Sequence, residues 1–252
     1  MKIIALLSSF LFTACVIGDE GAGQNGTDND IIGGAVDTTD VAVGNLRAVT
    51  AWSPFYGPTS ISSCTATLIA PTVMLTAAHC HQAAAIWNDV TFDTDISGNL
   101  FAPYGSRTTA QVIADPAYTG DSTQGHDVAV VILSRAVTDR APIARGPVPT
   151  VGSYVLAVGY GLNVTESSGG PAQGLGTRRA GSLDVTAVNA HELAAGHEGD
   201  NVCHGDSGGP VLQNGLQVGV NSYVDTADCH GGGHFMRLDD NLDFIHLYAP
   251  NY

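Results

Sequence analysis

Short runs of β-branched and aliphatic residues, each closed by glycine, proline, asparagine or aspartate, recur along the chain from residue 41 onward. Runs of this kind are typical of β-strands, and the residues that separate them favour turns. The 31 glycines and 11 prolines leave little room for long helices. The pattern therefore predicts an all-β fold, with the clearest strands at residues 41–52, 65–70, 109–113, 128–133, 154–158 and 216–220.

The end of the chain has a different spacing. In residues 239–248, apolar residues at three- and four-residue offsets follow two aspartates. This spacing indicates a helix, and acidic residues at its start are stabilised by the helix dipole. We predict a C-terminal helix at about 239–248, after two antiparallel barrels that the Pro/Arg/Gly-rich link at 140–149 joins.

The charge balance limits the function classes. The chain has 9 Lys+Arg against 24 Asp+Glu, a formal net charge of -15, with 44% hydrophobic and 13% charged residues. A chain with this many apolar residues and this few charges is expected to fold rather than to stay disordered. Its negative charge argues against nucleic acid as a partner, because phosphate binding requires basic patches. A globular enzyme or binding protein remains.

The N-terminal residues predict export. A lysine at position 2 precedes an apolar run that is too short to span a bilayer, so residues 1–14 indicate a signal peptide. Residues 11–15 resemble a bacterial lipobox, which predicts a lipid on Cys15. Phe12 departs from that pattern, and plain cleavage is the alternative. Polar, Gly-rich residues 15–30 indicate a tether or propeptide. We expect a protein that is secreted, or anchored to the bacterial cell envelope through that lipid alone.

Four further cysteines are consistent with an oxidising compartment. Once Cys15 is set aside, their even number suits disulfides, and three pairings are open. A metal site is disfavoured because no C-x-x-C spacing occurs. We expect no metal and no cofactor. The four are Cys64, Cys80, Cys203 and Cys229.

Three segments contain the residue types that nucleophilic catalysis needs. A serine hydroxyl becomes a good nucleophile when a neighbouring histidine takes its proton, and the histidine needs an anion on its other ring nitrogen. Ser207 lies near glycines that let backbone approach a substrate, and Asp127 opens an apolar run where a charge needs a partner. The segments are LTAAHC with His79, HDVAVV with Asp127, and CHGDSGGP with Ser207.

Each segment also has a structural interpretation. His79 could be a core histidine, Asp127 a turn residue, and residues 205–209 a tight turn. Residues 205–209 also fit the G-x-S-x-G elbow of α/β-hydrolases, which requires a later histidine and helices around a parallel sheet. Histidines do follow Ser207, but the helical segments are missing. The joint order of histidine, aspartate and serine favours catalysis.

From about Ile31 onward, these motifs resemble the trypsin/chymotrypsin-like serine protease family. The resemblance implies two six-stranded antiparallel β-barrels, the first at about 31–139 and the second at about 150–238, within a peptidase domain at 31–252. It also implies a role for each residue. His79 would be general base and acid, Asp127 the orienting carboxylate and Ser207 the nucleophile, with the N–H groups of Gly205 and Ser207 forming the oxyanion hole.

The resemblance also implies two disulfides and an activation step. Cys64 would pair with Cys80, and Cys203 with Cys229. The segment IIGG at 31–34 resembles the family's mature N-terminus, so cleavage before Ile31 would free an ammonium that inserts beside Asp206. Position 30 is aspartate where tryptic activation would want Lys or Arg, so activation would need a protease that cuts after aspartate, trimming of the tether, or self-processing.

The resemblance places a substrate pocket between two wall segments. Asn201 would form its floor, and Val224 and Gly233 would lie on opposite walls. Asp200 is one residue away, so a shift of the alignment by one residue would restore the acidic floor of a tryptic site. A neutral floor and a branched wall predict a small or medium uncharged P1 side chain, while Ser222 and Val224 would offer backbone to an extended substrate. The remaining expected pocket residues are Val202, His204 and Tyr223.

The sequence thus predicts an exported serine endopeptidase that cleaves protein or peptide substrates through an acyl-enzyme, and we expect a monomer. The alternative is a non-catalytic or latent protease homologue that acts as a binding or regulatory protein.

Overall fold

The computed structural model describes residues 31–32, 34–101, 107–165 and 171–252. The predicted signal peptide, the tether and Cys15 lie outside these residues. The described part contains thirteen strands: β1 (Ala35–Val36), β2 (Val43–Ser53), β3 (Gly57–Ala70), β4 (Val73–Thr76), β5 (Trp87–Thr91), β6 (Arg107–Ala114), β7 (Ala129–Leu133), β8 (Tyr154–Gly159), β9 (Arg179–Val188), β10 (Glu192–Ala195), β11 (Pro210–Gln213), β12 (Leu216–Val224) and β13 (Gly233–Arg237).

Six strands close into the first barrel, in the order β2-β3-β4-β7-β6-β5. Strands β4 and β7 are neighbours in this barrel, with Val73 paired to Ile132 and Thr76 to Ala129. Their buried aliphatic side chains, among them Leu75 and Val130, fill the interior. Burial of such side chains from water is the main stabilising contribution to a sheet of this kind.

The second sheet has seven strands, in the order β1-β9-β10-β13-β12-β11-β8. Strand β8 also pairs with β9, which joins the two ends of a six-stranded ring and leaves β1 as an added strand. All pairings between these strands are antiparallel. The all-β prediction is therefore confirmed, and the parallel sheet of an α/β-hydrolase is contradicted.

Two expectations differ from the structure. Residues 31–36 pack against the second sheet rather than the first barrel, because β1 pairs with β9 and Ile31 enters the second core. The C-terminal α-helix α1 spans only Leu242–Ile245. Residues Asp239–Asn241 before it form a 3₁₀ turn, and Leu247 and Tyr248 bond three residues back rather than four. These tighter turns shorten the predicted helix.

A buried arginine joins the two sheets. The guanidinium of Arg178 donates to Asp37 Oδ2 at 2.9 Å, to the carbonyl of Val43 at 3.1 Å and to the hydroxyl of Tyr160 at 3.2 Å. A buried charge is tolerated when it is paired and fully hydrogen-bonded in this way. Among the described residues, no helix is long and apolar enough to cross a bilayer.

Candidate active site

His79 lies in a 3₁₀ turn, Ala78–Cys80, directly after β4. The disulfide between Cys64 and Cys80 ties this turn to β3. A second disulfide joins Cys203 to Cys229. Both are the pairings that the family resemblance implied. The first of them fixes the backbone of the residue next to the imidazole.

Asp127 is fully buried and precedes β7. Its Oδ2 accepts hydrogen bonds from Nδ1 of His79 at 2.7 Å, from Ser122 Oγ at 3.0 Å and from Ser222 Oγ, while Oδ1 accepts from the backbone N–H of His79 at 2.8 Å. Burial alone would raise the pKa of Asp127, but the hydrogen bonds and charge of His79 outweigh burial and lower it. The ionised carboxylate therefore keeps the proton on Nδ1 and leaves Nε2 free to accept one.

Ser207 and His79 line the same cleft, which has a volume of about 370 Å³. Gly205, two residues earlier, has φ +100°, and Gly208 has φ +82°. A Cβ on Gly208 would lie 2.0 Å from Thr76 Oγ1, so only glycine fits there. Among the described hydrogen bonds, none uses the N–H of Gly205 or of Ser207 as donor. Two adjacent backbone donors thus remain available beside the serine.

Thr65 of β3 holds the loop of Gly205 and Ser207 in place, a role that no motif in the sequence indicates. Its N–H donates to the carbonyl of Ser207 at 2.8 Å. Its buried hydroxyl donates to the carbonyl of Gly205 at 2.9 Å and accepts from the N–H of Tyr160 at 3.1 Å. The two side-chain contacts span 140 and 95 residues of chain, and the one available signal was the position of Thr65 directly after Cys64.

Asp206 is buried behind the serine. Its carboxylate accepts hydrogen bonds from the N–H of Gly161 at 2.7 Å and of Cys203 at 2.9 Å. Burial raises its pKa to about 6 despite these two bonds. A Cβ on Gly159 or Gly161 would lie 2.1 Å or 2.5 Å from the carboxylate, which explains why both flanks of Tyr160 are glycine.

Ile31 does not contact Asp206 in the described hydrogen bonds and ion pairs. Its side chain is buried in the core of the second sheet, and the carbonyl of Ile32 accepts from the N–H of Asn201 at 3.0 Å. The segment thus lies next to the expected pocket floor, while the ammonium–carboxylate pair stays a prediction for the cleaved chain.

The expected pocket residues fall into two groups. His204, Ser222, Tyr223 and Val224 line the cleft, whereas Asn201, Val202 and Gly233 are buried behind it. The Asn201 amide donates to the carbonyl of Gly231 and, at 3.3 Å, to that of Cys229.

Two contacts hold the segments that line the cleft. Val224 packs against the disulfide of Cys203 and Cys229. His204 Nε2 donates to the carbonyl of Ala227 at 2.9 Å, so two of the lining segments are bonded to each other.

The potential ligand atoms near the cleft show whether a metal ion could be bound there. Within the described residues, the two groups close enough to hold an ion are Cys64, His79 and Cys80, and Cys203, His204 and Cys229. In each group the two sulfurs form a disulfide, so no thiolate is available. Neither group is a metal site in this oxidised chain.

The similarity of this chain to known proteins identifies its family. The trypsin family model matches residues 42–245, so the chain belongs to the trypsin family. The chain is similar to brachyurin of Leptuca pugilator, with 29% identity over 197 residues that cover 72% of this chain and 85% of brachyurin. Human chymotrypsin-like elastase family member 1 is 28% identical over 197 residues, which cover 69% of this chain and 75% of the elastase.

A solved structure has the same fold. Neuropsin, a serine protease expressed in the limbic system of mouse brain, superposes with a TM-score of 0.67 at 18% identity. The superposition covers 85% of this chain and 97% of neuropsin. The chain is therefore a serine-type endopeptidase of the trypsin family, and its substrates are proteins or peptides.

Proposed function

We propose that His79, Asp127 and Ser207 are the catalytic triad of this endopeptidase. The observation that carries the proposal is the bond between His79 Nδ1 and the buried Asp127, in the cleft that Ser207 also lines. An imidazole whose Nδ1–H is held by a buried carboxylate presents Nε2 as a base toward that cleft. A serine beside it is the natural nucleophile.

In the reaction, Ser207 Oγ attacks the scissile carbonyl while His79 Nε2 takes its proton. The tetrahedral intermediate carries its negative charge on the former carbonyl oxygen. As the carbon–nitrogen bond breaks, His79 returns the proton to the departing amine, which leaves an acyl-enzyme on Ser207. Water, deprotonated by His79, then attacks the ester and regenerates the serine. Asp127 stays ionised throughout.

The N–H groups of Gly205 and Ser207 form the oxyanion hole in this proposal. Both N–H groups lack an acceptor among the described hydrogen bonds. Thr65 holds the Gly205 and Ser207 carbonyls in the opposite direction. One donor of this kind contributes about 3 kcal/mol to the stability of the transition state.

The P1 side chain would be small and uncharged, which is the narrower end of the range that the sequence predicts. Val224, a branched side chain, and the bonded pair of His204 and Ala227 line the cleft beside Ser207, and we expect them to limit the size of the P1 side chain. The expected floor residue Asn201 is neutral, buried and hydrogen-bonded to two carbonyls. It therefore offers no charge to a cationic P1 side chain.

The full-length chain would be a zymogen. Asp206 is a buried carboxylate, and its described hydrogen bonds come from uncharged backbone donors. Cleavage before Ile31 would supply an ammonium to pair with it, which stabilises the ionised form. Export through residues 1–14, with or without a lipid on Cys15, completes the proposal.

Covalent labelling tests this proposal. The protein beginning at Ile31 should react with a fluorophosphonate at Ser207, and the Ser207→Ala variant should not react. The full-length chain should react much more slowly. A trimmed, folded protein that does not label would instead favour a non-catalytic binding homologue, and labelling without peptide cleavage would favour an esterase.

A further inference from the structure

A cluster of ionisable side chains lies directly behind the wall of the cleft. His234 of β13 stacks on the ring of Tyr223, with ring centroids 4.2 Å apart and planes inclined by 4°. Its Nδ1 lies 3.1 Å from Glu192 Oε1, and its Nε2 lies 2.9 Å from Asp225 Oδ1. The histidine is 17% exposed and Glu192 is 14% exposed, so the contact with Glu192 is largely shielded from water.

Both carboxylates act as acceptors in this cluster. Glu192 Oε2 accepts from the hydroxyl of Tyr223 at 2.9 Å, and burial together with this bond raises the pKa of Tyr223, which stays a donor. Asp225 Oδ2 accepts from the N–H of Gly232 at 2.9 Å, and the hydrogen bond from His234 lowers the pKa of Asp225.

The ring of His234 must therefore donate from both nitrogens. A neutral imidazole has one N–H and one lone pair, and the lone pair would face a carboxylate oxygen. The imidazolium donates to both, and it replaces repulsion between the two carboxylates by attraction. The charged groups that face it are Glu192 from β10 and Asp225 from the loop after β12. Asp121, from the segment between β6 and β7, adds a weaker charge effect on Tyr223.

We propose that His234 is a positioning residue whose imidazolium holds Tyr223 and the loop 225–232 in the conformation that binds substrate. Tyr223, Val224 and Ala227 line the cleft. Asp225 begins this loop and is bonded to its last residue, because its N–H donates to the carbonyl of Gly232 and its carboxylate accepts from the N–H of Gly232. The same carboxylate accepts from His234. Loss of the cation would free the start of the loop and the tyrosine ring together.

The inference deepens the proposed function, because it assigns His234 to substrate binding at the same cleft. His234 touches neither the triad nor the reacting atoms in any described contact, so it should act on KM and leave kcat nearly unchanged.

Steady-state kinetics of three variants test the inference. His234→Leu removes the cation, and we expect KM to rise about tenfold with kcat within about twofold of the unchanged protein. His234→Arg keeps a cation that can bond two carboxylates and stack on tyrosine, so KM should stay within about twofold of the unchanged protein. His197→Gln is the matched control, an exposed histidine 3.6 Å from the carboxylate of Asp184.

Equal KM values for His234→Leu and His197→Gln would overturn the inference, as would a KM in His234→Arg as high as in His234→Leu. If His234→Leu does not fold, His234→Gln, which removes the cation and keeps a polar side chain, takes its place, and a KM equal to that of the unchanged protein would overturn the inference.

A binding measurement separates failure of this inference from failure of the proposed function. In the Ser207→Ala background, calorimetry with the peptide amide Ala-Ala-Pro-Ala reports affinity without turnover. We expect Kd to rise about tenfold on adding His234→Leu, and an unchanged Kd would count against the inference. Failure of Ser207 to label with a fluorophosphonate would instead count against the triad.

Discussion

The first barrel and the second sheet fix their parts of the active site in different ways. On the first barrel, four hydrogen bonds converge on Asp127, two of them from His79 itself, within a closed set of six strands. On the second sheet, the serine lies in the loop before β11, and the cleft wall lies at the end of β12 and in the loop after it. The described bonds of the buried Asp206 come from uncharged donors alone, and Tyr223 stacks on His234, which lies between two carboxylates.

The two regions should therefore respond differently to activation. His79 and Asp127 are already bonded to each other in the uncleaved chain. We expect cleavage before Ile31 to change the loop of Ser207 and the pocket instead.

The largest effect should come from Asp127→Asn. An asparagine cannot hold the Nδ1–H tautomer of His79, so kcat should fall about 10⁴-fold while the fold is kept. Asp37→Asn is the control, since Asp37 is a buried carboxylate paired with Arg178 away from the cleft. That variant should lower the free energy of unfolding and leave kcat unchanged. Equal kcat in both variants would contradict the assignment of Asp127.

Gly208→Ala should lower kcat/KM about a hundredfold, because the new Cβ would clash with the carbonyl of Thr65 and the hydroxyl of Thr76 and so displace the adjacent Ser207. Gly152→Ala is a close match, with the same φ of +82° and no atom within 4 Å of the new Cβ. Both variants carry the backbone cost of about 1 kcal/mol, and only the first should lose activity. Similar activity in the two would refute the steric argument.

Cleavage before Ile31 should change stability in a pH-dependent way. Burial raises the pKa of Asp206 to about 6, whereas an unfolded aspartate titrates near 4, so its ionisation destabilises the full-length fold as pH rises from about 4 through 6. An ammonium beside Asp206 removes that cost. The trimmed protein should therefore gain about 2 kcal/mol over the full-length chain between pH 4 and 7.

That gain should shrink above about pH 8, where an α-ammonium begins to lose its proton. Thermal unfolding of both forms, each carrying Ser207→Ala to prevent cleavage, measures the difference. A difference that does not vary with pH would mean that Ile31 and Asp206 do not pair.

Thr65→Val should give the smallest effect, a fall in kcat of about tenfold with KM unchanged, since valine keeps the shape but cannot bond Gly205 or Tyr160. Thr67→Val on the same strand is the control. Thr67 is equally buried, and its hydroxyl has no partner among the described residues. If both variants keep full activity, Thr65 is structural only.

The sequence predicted strands where β-branched and aliphatic residues run over five or more residues. Residues 41–52 and 216–220 correspond to β2 and β12, and 154–158 to β8. Several strands were not among those predicted. Three of these, β4, β10 and β11, have only four residues each, which carry too little periodicity to distinguish a strand from a turn. The helix at 239–248 was too long because apolar spacing does not distinguish an α-helix from consecutive 3₁₀ turns.

The motif residues of the site could be predicted from the sequence because each belongs to a continuous segment. The residues that support them could not be predicted. Ser122 and Thr65 contact the site through side-chain hydrogen bonds, and nothing in the sequence around them indicates this role. Likewise, Glu192, Asp225 and His234 meet only after β10, β12 and β13 pair, since contacts of that kind are set by register rather than by local pattern.

The crystal structure of the phosphonylated protein beginning at Ile31 is the most direct measurement of the central claim. We expect phosphorus on Ser207 Oγ, one phosphonyl oxygen within about 3 Å of the N–H groups of Gly205 and Ser207, and His79 Nε2 within hydrogen-bonding distance of Oγ or a phosphonyl oxygen. An adduct on another residue, or an imidazole that stays well out of contact with Ser207, would contradict it.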